Sequence, residues 1–244
     1  MAFDWNAVGF SLCSGLFIVL GAVVALCLTN ISHKMLAAIL GFAAGIMLAM
    51  STFDLLPVAL EYGTIYHCGA GIMLGVGFMF LIDKCFFSKY DFKGEGEEKN
   101  YMKIGLFIAA SVALHNLPEG IALGAGYEVA PELGLAMALA IALHNIPEGI
   151  SIGAPLKLAK LSPYYVLLVS LAVGLFTLVG TFISFCFAGT SDGFLSVFMG
   201  FSAGSMLYIV SDELIPEGNK KSPLFANIGF FLGFLLMFVI TFME

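Results

Sequence analysis

The sequence predicts an all-α integral membrane protein with eight transmembrane helices in a 3+2+3 inverted-repeat bundle. Composition gives the class, because 60% of the 244 residues are hydrophobic and only 11% are charged, whereas roughly a quarter of the residues in a soluble domain are charged. Two internal repeats predict the inverted arrangement. The formal net charge of −7 argues against nucleic acid as a partner.

Eight apolar segments of 18 to 25 residues suit the length of about 20 residues that a helix needs to cross a hydrocarbon core of about 30 Å. They form one predicted transmembrane domain, residues 1–244, with spans 1–3 within 1–86, a cytoplasmic loop at 87–103, spans 4 and 5 within 104–156, and spans 6–8 within 162–244. The predicted spans 1 to 8 are 7–31, 35–59, 65–82, 104–126, 133–155, 164–188, 194–215 and 224–243.

The basic residues predict the orientation in the membrane. All ten are lysines, and with eight spans every one falls in the connections 1–2, 3–4, 5–6 or 7–8. These connections share one side, which the positive-inside bias makes cytoplasmic. The sequence therefore predicts a multi-pass protein of the plasma (inner) membrane, in contact with lipid, with both termini outside.

One motif occurs twice, in spans 4 and 5. Residues 113–121 (ALHNLPEGI) and 142–150 (ALHNIPEGI) differ at one position in nine, and their histidines lie 144 − 115 = 29 residues apart. This offset is about one membrane-spanning helix plus a short turn, so the copies should lie on neighbouring antiparallel helices. Two copies of a motif on antiparallel helices are related by a two-fold axis in the membrane plane, as in the inverted repeats of transporters.

A second repeat relates spans 2 and 7. Residues 41–48 (GFAAGIML) match residues 200–207 (GFSAGSML) at an offset of 200 − 41 = 159, and the DLLP at 54–57 then aligns with the ELIP at 213–216. Small-residue patterns also arise in ordinary helical bundles, but the shared acid-Leu-x-Pro ending favours a true repeat. Since spans 2 and 7 run in opposite directions, spans 1–3 and 6–8 are predicted to be inverted copies that flank spans 4 and 5.

The repeated motif carries metal-ligating residue types. His115 and Glu119 are four residues apart, as are His144 and Glu148, so each pair shares one helix face. Carboxylates at membrane depth are costly unless they are paired or ligated. Two carboxylates and two neutral imidazoles match a divalent cation in charge, and nitrogen and oxygen donors suit Zn²⁺, Fe²⁺ or Mn²⁺. The asparagine after each histidine adds a neutral oxygen donor.

The same residues also have a purely structural interpretation. Pro118 and Pro147 lack a backbone N–H, so each motif is also compatible with a proline kink lined by buried His–Glu hydrogen bonds. Two nearly identical copies on antiparallel spans favour the metal site over this alternative.

Four further acidic residues are predicted to mark the path of the cation. Asp54 and Glu61 lie toward the outer end of span 2, where they would form the entrance, and Asp212 and Glu213 lie toward the inner end of span 7, where they would form the exit. The alternative for each is a solvated charge at a helix end.

These residues resemble the ZIP (zinc/iron-regulated transporter-like) family, most closely its prokaryotic zinc-uptake and GufA-type branch. The resemblance covers essentially the whole chain and implies the 3+2+3 bundle, a homodimer, and uptake of a divalent metal ion into the cytoplasm, with no cofactor other than the transported ion. It implies a main site formed by His115, Glu119, His144 and Glu148, with Met47 as an additional thioether neighbour. It implies a second, adjoining site whose members are Asn116, Glu119, Asn145 and Glu148, the two glutamates bridging both sites.

One departure from the family pattern concerns span 6. Family members with a full binuclear centre carry a glutamate there, in a Glu-Pro-Leu-Gly-like phrase, whereas the corresponding stretch at 177–180 reads TLVG and span 6 contains no acidic residue. One ion per site is therefore expected.

Two other classes of function are compatible with a His/Glu site. An intramembrane metal-dependent hydrolase would use it to activate water, but the His-Glu-x-x-His pattern of zincins is absent. A metal-sensing receptor would need a soluble signalling domain, which this sequence does not contain. The sequence leaves open the ranking among Zn²⁺, Fe²⁺, Mn²⁺, Co²⁺ and Cd²⁺, the choice between carrier and channel-like path, and proton coupling.

Overall fold

The computed structural model describes residues 4–87, 96–129, 131–187 and 192–243, and every secondary-structure element in these ranges is a helix. These residues form eight long helices. In chain order they are α1 (Trp5–Cys27), α2 (His33–Met50, the π-helical turn Ser51–Leu55, and Leu56–Glu61), α3 (Ile65–Ile82, followed by the π-helical turn Asp83–Phe87), α4 (Gly96–Val129), α5 (Pro131–Leu158), α6 (Pro163–Phe187), α7 (Asp192–Ile209, the π-helical turn Val210–Leu214, and Ile215–Lys221) and α8 (Pro223–Met243).

Within the described residues, seven of these helices are long and apolar enough to cross a membrane. The eighth, α5, has 28 residues, which is also sufficient length. The exposed ends carry aromatic side chains, with Trp5 and Tyr66 at one end and Tyr164 and Tyr165 at the other, each more than half exposed, as expected at membrane–water interfaces. The all-α membrane fold predicted from the sequence is confirmed.

The helices pack as two groups of four. Helices α1, α4, α5 and α6 pack against one another, while α2 packs on α8 and α3 packs on α7. The two groups meet mainly where α4 contacts α7 and where α2 contacts α5. The motif helices α4 and α5 therefore lie at the boundary between the groups.

Glycine allows the closest of these packings. A Cβ atom on Gly120 of α4 would lie 1.9 Å from the carbonyl oxygen of Thr177 in α6, and one on Gly149 of α5 would lie 2.0 Å from the carbonyl oxygen of Ile18 in α1. Thr177 and Ile18 are 177 − 18 = 159 residues apart, the offset of the second sequence repeat. The two contacts are thus equivalent under that offset, although the inverted repeat as a whole stays a prediction.

The π-helical turns of α2 and α7 also correspond, since 210 − 51 = 159. Each is followed by a proline, Pro57 or Pro216, that lacks an N–H. The N–H of Leu56 binds the carbonyl oxygen of Ser51, five residues back, and that of Ile215 binds the carbonyl oxygen of Val210. The acid of the shared acid-Leu-x-Pro ending, Asp54 or Glu213, falls inside the turn in both helices.

The predicted loop at 87–103 is wrong over residues 96–103, because α4 begins at Gly96. Of the rest of that loop, residue 87 ends the π-helical turn after α3, and residues 88–95 lie outside the described residues. Two contacts stabilise the extra turns: Glu97 pairs with Lys221 at 3.0 Å and Glu98 with Lys160 at 2.5 Å. Acidic residues in a first turn also interact favourably with the helix dipole.

The lysines of the described residues lie at one end of the bundle. The pairs with Lys160 and Lys221 join the start of α4 to the ends of α5 and α7. Lys103 of α4 lies 3.8 Å from Asp83, which follows α3. Lys34 at the start of α2 lies over the ring of Phe225 at the start of α8. The lysine-bearing connections therefore lie on one side of the bundle, as the eight-span topology requires. The assignment of that side to the cytoplasm stays a prediction.

Candidate metal site

The two motif copies meet across the α4–α5 interface as two His–Glu pairs. His115 Nε2 lies 3.0 Å from Glu148 Oε1, and His144 Nε2 lies 3.4 Å from Glu119 Oε2. All four side chains are buried. Each histidine therefore pairs with the glutamate of the other helix and not with the glutamate four residues along its own helix.

The asparagine next to each histidine is anchored to an outer helix. Asn116 Nδ2 donates to the carbonyl oxygen of Val173 in α6 at 3.4 Å, and Asn145 Nδ2 donates to the carbonyl oxygen of Ser14 in α1 at 2.9 Å. Because the amide nitrogen is the donor, the amide oxygen of each asparagine is left as an acceptor. The two anchors are again 173 − 14 = 159 residues apart.

The six motif side chains each keep one buried polar atom that has no hydrogen-bond partner among the described residues. A buried polar atom without a partner costs about 1–3 kcal/mol, so six of them at one interface call for an explanation. The atoms are His115 Nδ1, Asn116 Oδ1, Glu119 Oε1, His144 Nδ1, Asn145 Oδ1 and Glu148 Oε2.

All six atoms can donate an electron pair. A neutral histidine that donates through Nε2–H to a carboxylate carries its lone pair on Nδ1, and we assign this tautomer to both histidines from the pairing. The remaining atoms are carboxylate and amide oxygens. Two nitrogens and four oxygens, with no hydrogen to offer, fit a cation or a hydrogen-bond donor and not a further acceptor group.

The electrostatics of the interface agree with a divalent ion. Two ionised glutamates bring two negative charges into a buried site, where unpaired charge is strongly disfavoured. Within the described ranges, no group of three or more His, Cys, Asp and Glu side chains is close enough to hold a metal ion. An ion bound by both pairs therefore requires α4 and α5 side chains to close around it.

Comparison with known proteins identifies the family. The profile described as ZIP Zinc transporter matches residues 90–241. The zinc transporter ZIPB of Bordetella bronchiseptica is 33% identical over 241 residues, covering 89% of this chain and 74% of that protein. The chain belongs to the ZIP family. The zinc transporter ZupT of Chlorobium limicola is 33% identical over 236 residues, covering 88% and 89%, and GufA of Myxococcus xanthus, also named a zinc transporter, is 29% identical over 242 residues, covering 94% and 95%.

The other predicted site residues of this ZIP protein lie farther along α2 and α7. Met47 is fully buried in α2, and Asp54, seven residues beyond it in the π-helical turn, interacts electrostatically with His144. Glu61 is exposed at the end of α2. In the equivalent turn of α7, Glu213 is buried while Asp212 is exposed and hydrogen-bonds to Tyr208.

Three features near the site were not predicted from the sequence. They are the carbonyl anchors at Ser14 and Val173, and a contact between Ser51 and Met206. Applying the 159-residue offset to spans 1 and 6 would have paired Ser14 with Val173, but only the fold shows that both face the asparagines. The side chain of Thr177, which the sequence predicts to stand where other family members carry a glutamate, is fully buried and its hydroxyl has no partner among the described residues.

Proposed function

We propose that this protein imports a divalent transition-metal cation, with Zn²⁺ as the main substrate, through the site between α4 and α5 and into the cytoplasm. The observation that carries the proposal is the set of six buried electron-pair donors left by the two His–Glu pairs and two asparagines. The relatives named above are zinc transporters by name, which supports transport over hydrolysis and supports zinc over the other ions.

The ion-free pairs and the ion-bound site use different atoms of the same residues. Without an ion, each glutamate accepts one hydrogen bond from a histidine through one oxygen. With an ion, histidine Nδ1 and the second carboxylate oxygen become ligands, and the Nε2–H bond still orients the ring, as supporting hydrogen bonds do in metal sites. The protein therefore avoids two unpaired buried carboxylates between transport events, which keeps the cost of releasing the ion low.

Transport proceeds by alternating access at the boundary between the two helix groups. The motif helices belong to one group and contact α2 and α7 of the other, so a relative movement of the groups exposes the site to either side. Asp54 serves as an entrance relay and Glu213 as an exit relay, each in a π-helical turn. Glu61 lies farther out along α2, and Asp212 lies next to Glu213 on α7. Both termini are outside, and the working unit is a homodimer in the plasma membrane.

One ion is transported per site. The asparagine oxygens and the Thr177 hydroxyl are neutral, so the carboxylates of Glu119 and Glu148 balance a single divalent charge.

The test is metal uptake into proteoliposomes by the purified full-length protein and by Glu148→Gln. The substitution keeps the side-chain shape and removes the charge, so the initial rate of zinc uptake is expected to fall by roughly tenfold or more. Glu132→Gln is the matched control, since Glu132 lies on the same helix but is exposed. Zinc uptake by Glu148→Gln at the rate of the wild-type protein would refute the proposed site. Absence of zinc uptake by the wild-type protein would refute the proposed function.

A further inference from the structure

Met206 of α7 is a fully buried thioether that meets α2 inside the bundle. Its Sδ lies 3.4 Å from Ser51 Oγ, while the same hydroxyl lies 2.8 Å from the carbonyl oxygen of Met47. A serine hydroxyl has one hydrogen to donate, and the shorter contact directs it to the carbonyl. The sulfur of Met206 therefore keeps its capacity to donate an electron pair.

The position of Met206 along α7 places it beside the motif helix α4. Ser202, one helical turn earlier on the same face of α7, approaches the carbonyl oxygen of His115 at 3.4 Å. Because α4 and α7 are antiparallel, Met206 lies about one turn from His115 toward the lysine-bearing end, level with Ser111. The Ser111 hydroxyl is fully buried and has no hydrogen-bond partner among the described residues.

Met206 is also the counterpart of Met47, since 206 − 47 = 159. Two fully buried methionines thus occupy equivalent places on the two helices of the second group that contact α4 and α5. Ser51 contacts the sulfur of Met206 and donates to the backbone carbonyl of Met47, four residues earlier on its own helix.

We propose that Met206 is a specificity-determining residue, whose thioether binds soft metal ions as they leave the His–Glu site toward the lysine-bearing end. This inference rests on the proposed transport function. Thioether sulfur binds soft ions better than hard ones, so Met206 favours Cd²⁺, and to a smaller extent Zn²⁺, over Mn²⁺. A neutral ligand adds no charge, so it guides the ion without holding it so tightly that release is prevented.

The test is competitive uptake of Cd²⁺ and Mn²⁺ by proteoliposomes that contain the full-length protein. Met206→Leu conserves side-chain volume, which buried sites tolerate best, and removes only the sulfur. We expect the Cd²⁺/Mn²⁺ uptake ratio to fall about tenfold, a loss typical when a residue that supports a metal site is replaced, with Mn²⁺ uptake retained. Met79→Leu is the control, because Met79 is equally buried but belongs to α3.

X-ray absorption at the cadmium edge supplies a second readout that does not depend on transport by the variant. Cadmium bound to the Met47→Leu variant is expected to show a sulfur neighbour. That neighbour is expected to be absent in the double variant that also carries Met206→Leu. An unchanged Cd²⁺/Mn²⁺ ratio, an equal loss of both ions, or no sulfur signal in Met47→Leu would each refute the role of Met206. Absence of all uptake by the wild-type protein would instead refute the proposed function.

Discussion

Replacing Gly120 by alanine tests the packing that holds the site together. The added Cβ would lie 1.9 Å from the carbonyl oxygen of Thr177, and ordinary contact begins at 3.4 Å, so α4 and α6 must separate by about 3.4 − 1.9 = 1.5 Å. The obstructing atoms are backbone, so no side chain can move aside. Separation also strains the 2.9 Å hydrogen bond from Thr181 Oγ1 to the Gly120 carbonyl oxygen and shifts Glu119, the adjacent residue, relative to His144.

Overpacking of this kind costs about 1–3 kcal/mol, more than the roughly 0.5–1 kcal/mol that alanine gains over glycine within a helix. We expect Gly120→Ala to lower the melting temperature of the solubilised protein and to reduce zinc uptake at least about tenfold. Gly77→Ala is the control, because a Cβ on Gly77 of α3 would meet no atom within 4 Å. If Gly120→Ala keeps the melting temperature and the zinc uptake of the wild-type protein, the close α4–α6 packing is refuted. An equal loss in Gly77→Ala would show that the assay reports any change from glycine.

Three other predictions follow from the site and its orientation. Thr177→Glu adds a third carboxylate near the two asparagines and should raise the Cd²⁺ stoichiometry, measured by isothermal titration, from about one to about two ions; an unchanged value would mean that the predicted alignment of span 6 is wrong. Metal affinity should weaken as pH falls, because protons compete for Glu119, Glu148 and the histidine nitrogens, and a flat titration between neutral and acidic pH would exclude them as ligands. In a cysteine-free background, cysteine at position 61 should react with impermeant reagents in intact cells and cysteine at position 160 should not, whereas equal labelling would overturn the predicted topology.

The sequence by itself determined the class of protein and the residues of the candidate site. Both depend on local signals: the length of the apolar segments, the distribution of lysines, and two motif copies whose residue types bind metal ions. The 159-residue offset is also present in the sequence, and it aligns the two π-helical turns. The turns themselves were not predicted, although the proline after each one is the local cause of the missing hydrogen bond.

Tertiary structure decided the pairing and the extent of the helices. The sequence placed His115 and Glu119 on one face of a helix, but His115 pairs with Glu148 of the neighbouring helix. That choice depends on the depth and rotation of α4 relative to α5, which are set by the asparagine anchors and glycine contacts to α1 and α6. The start of α4 at Gly96 likewise depends on ion pairs with Lys160 and Lys221, residues distant in the chain. Such contacts are absent from any local window of sequence, because they exist only once the helices have packed.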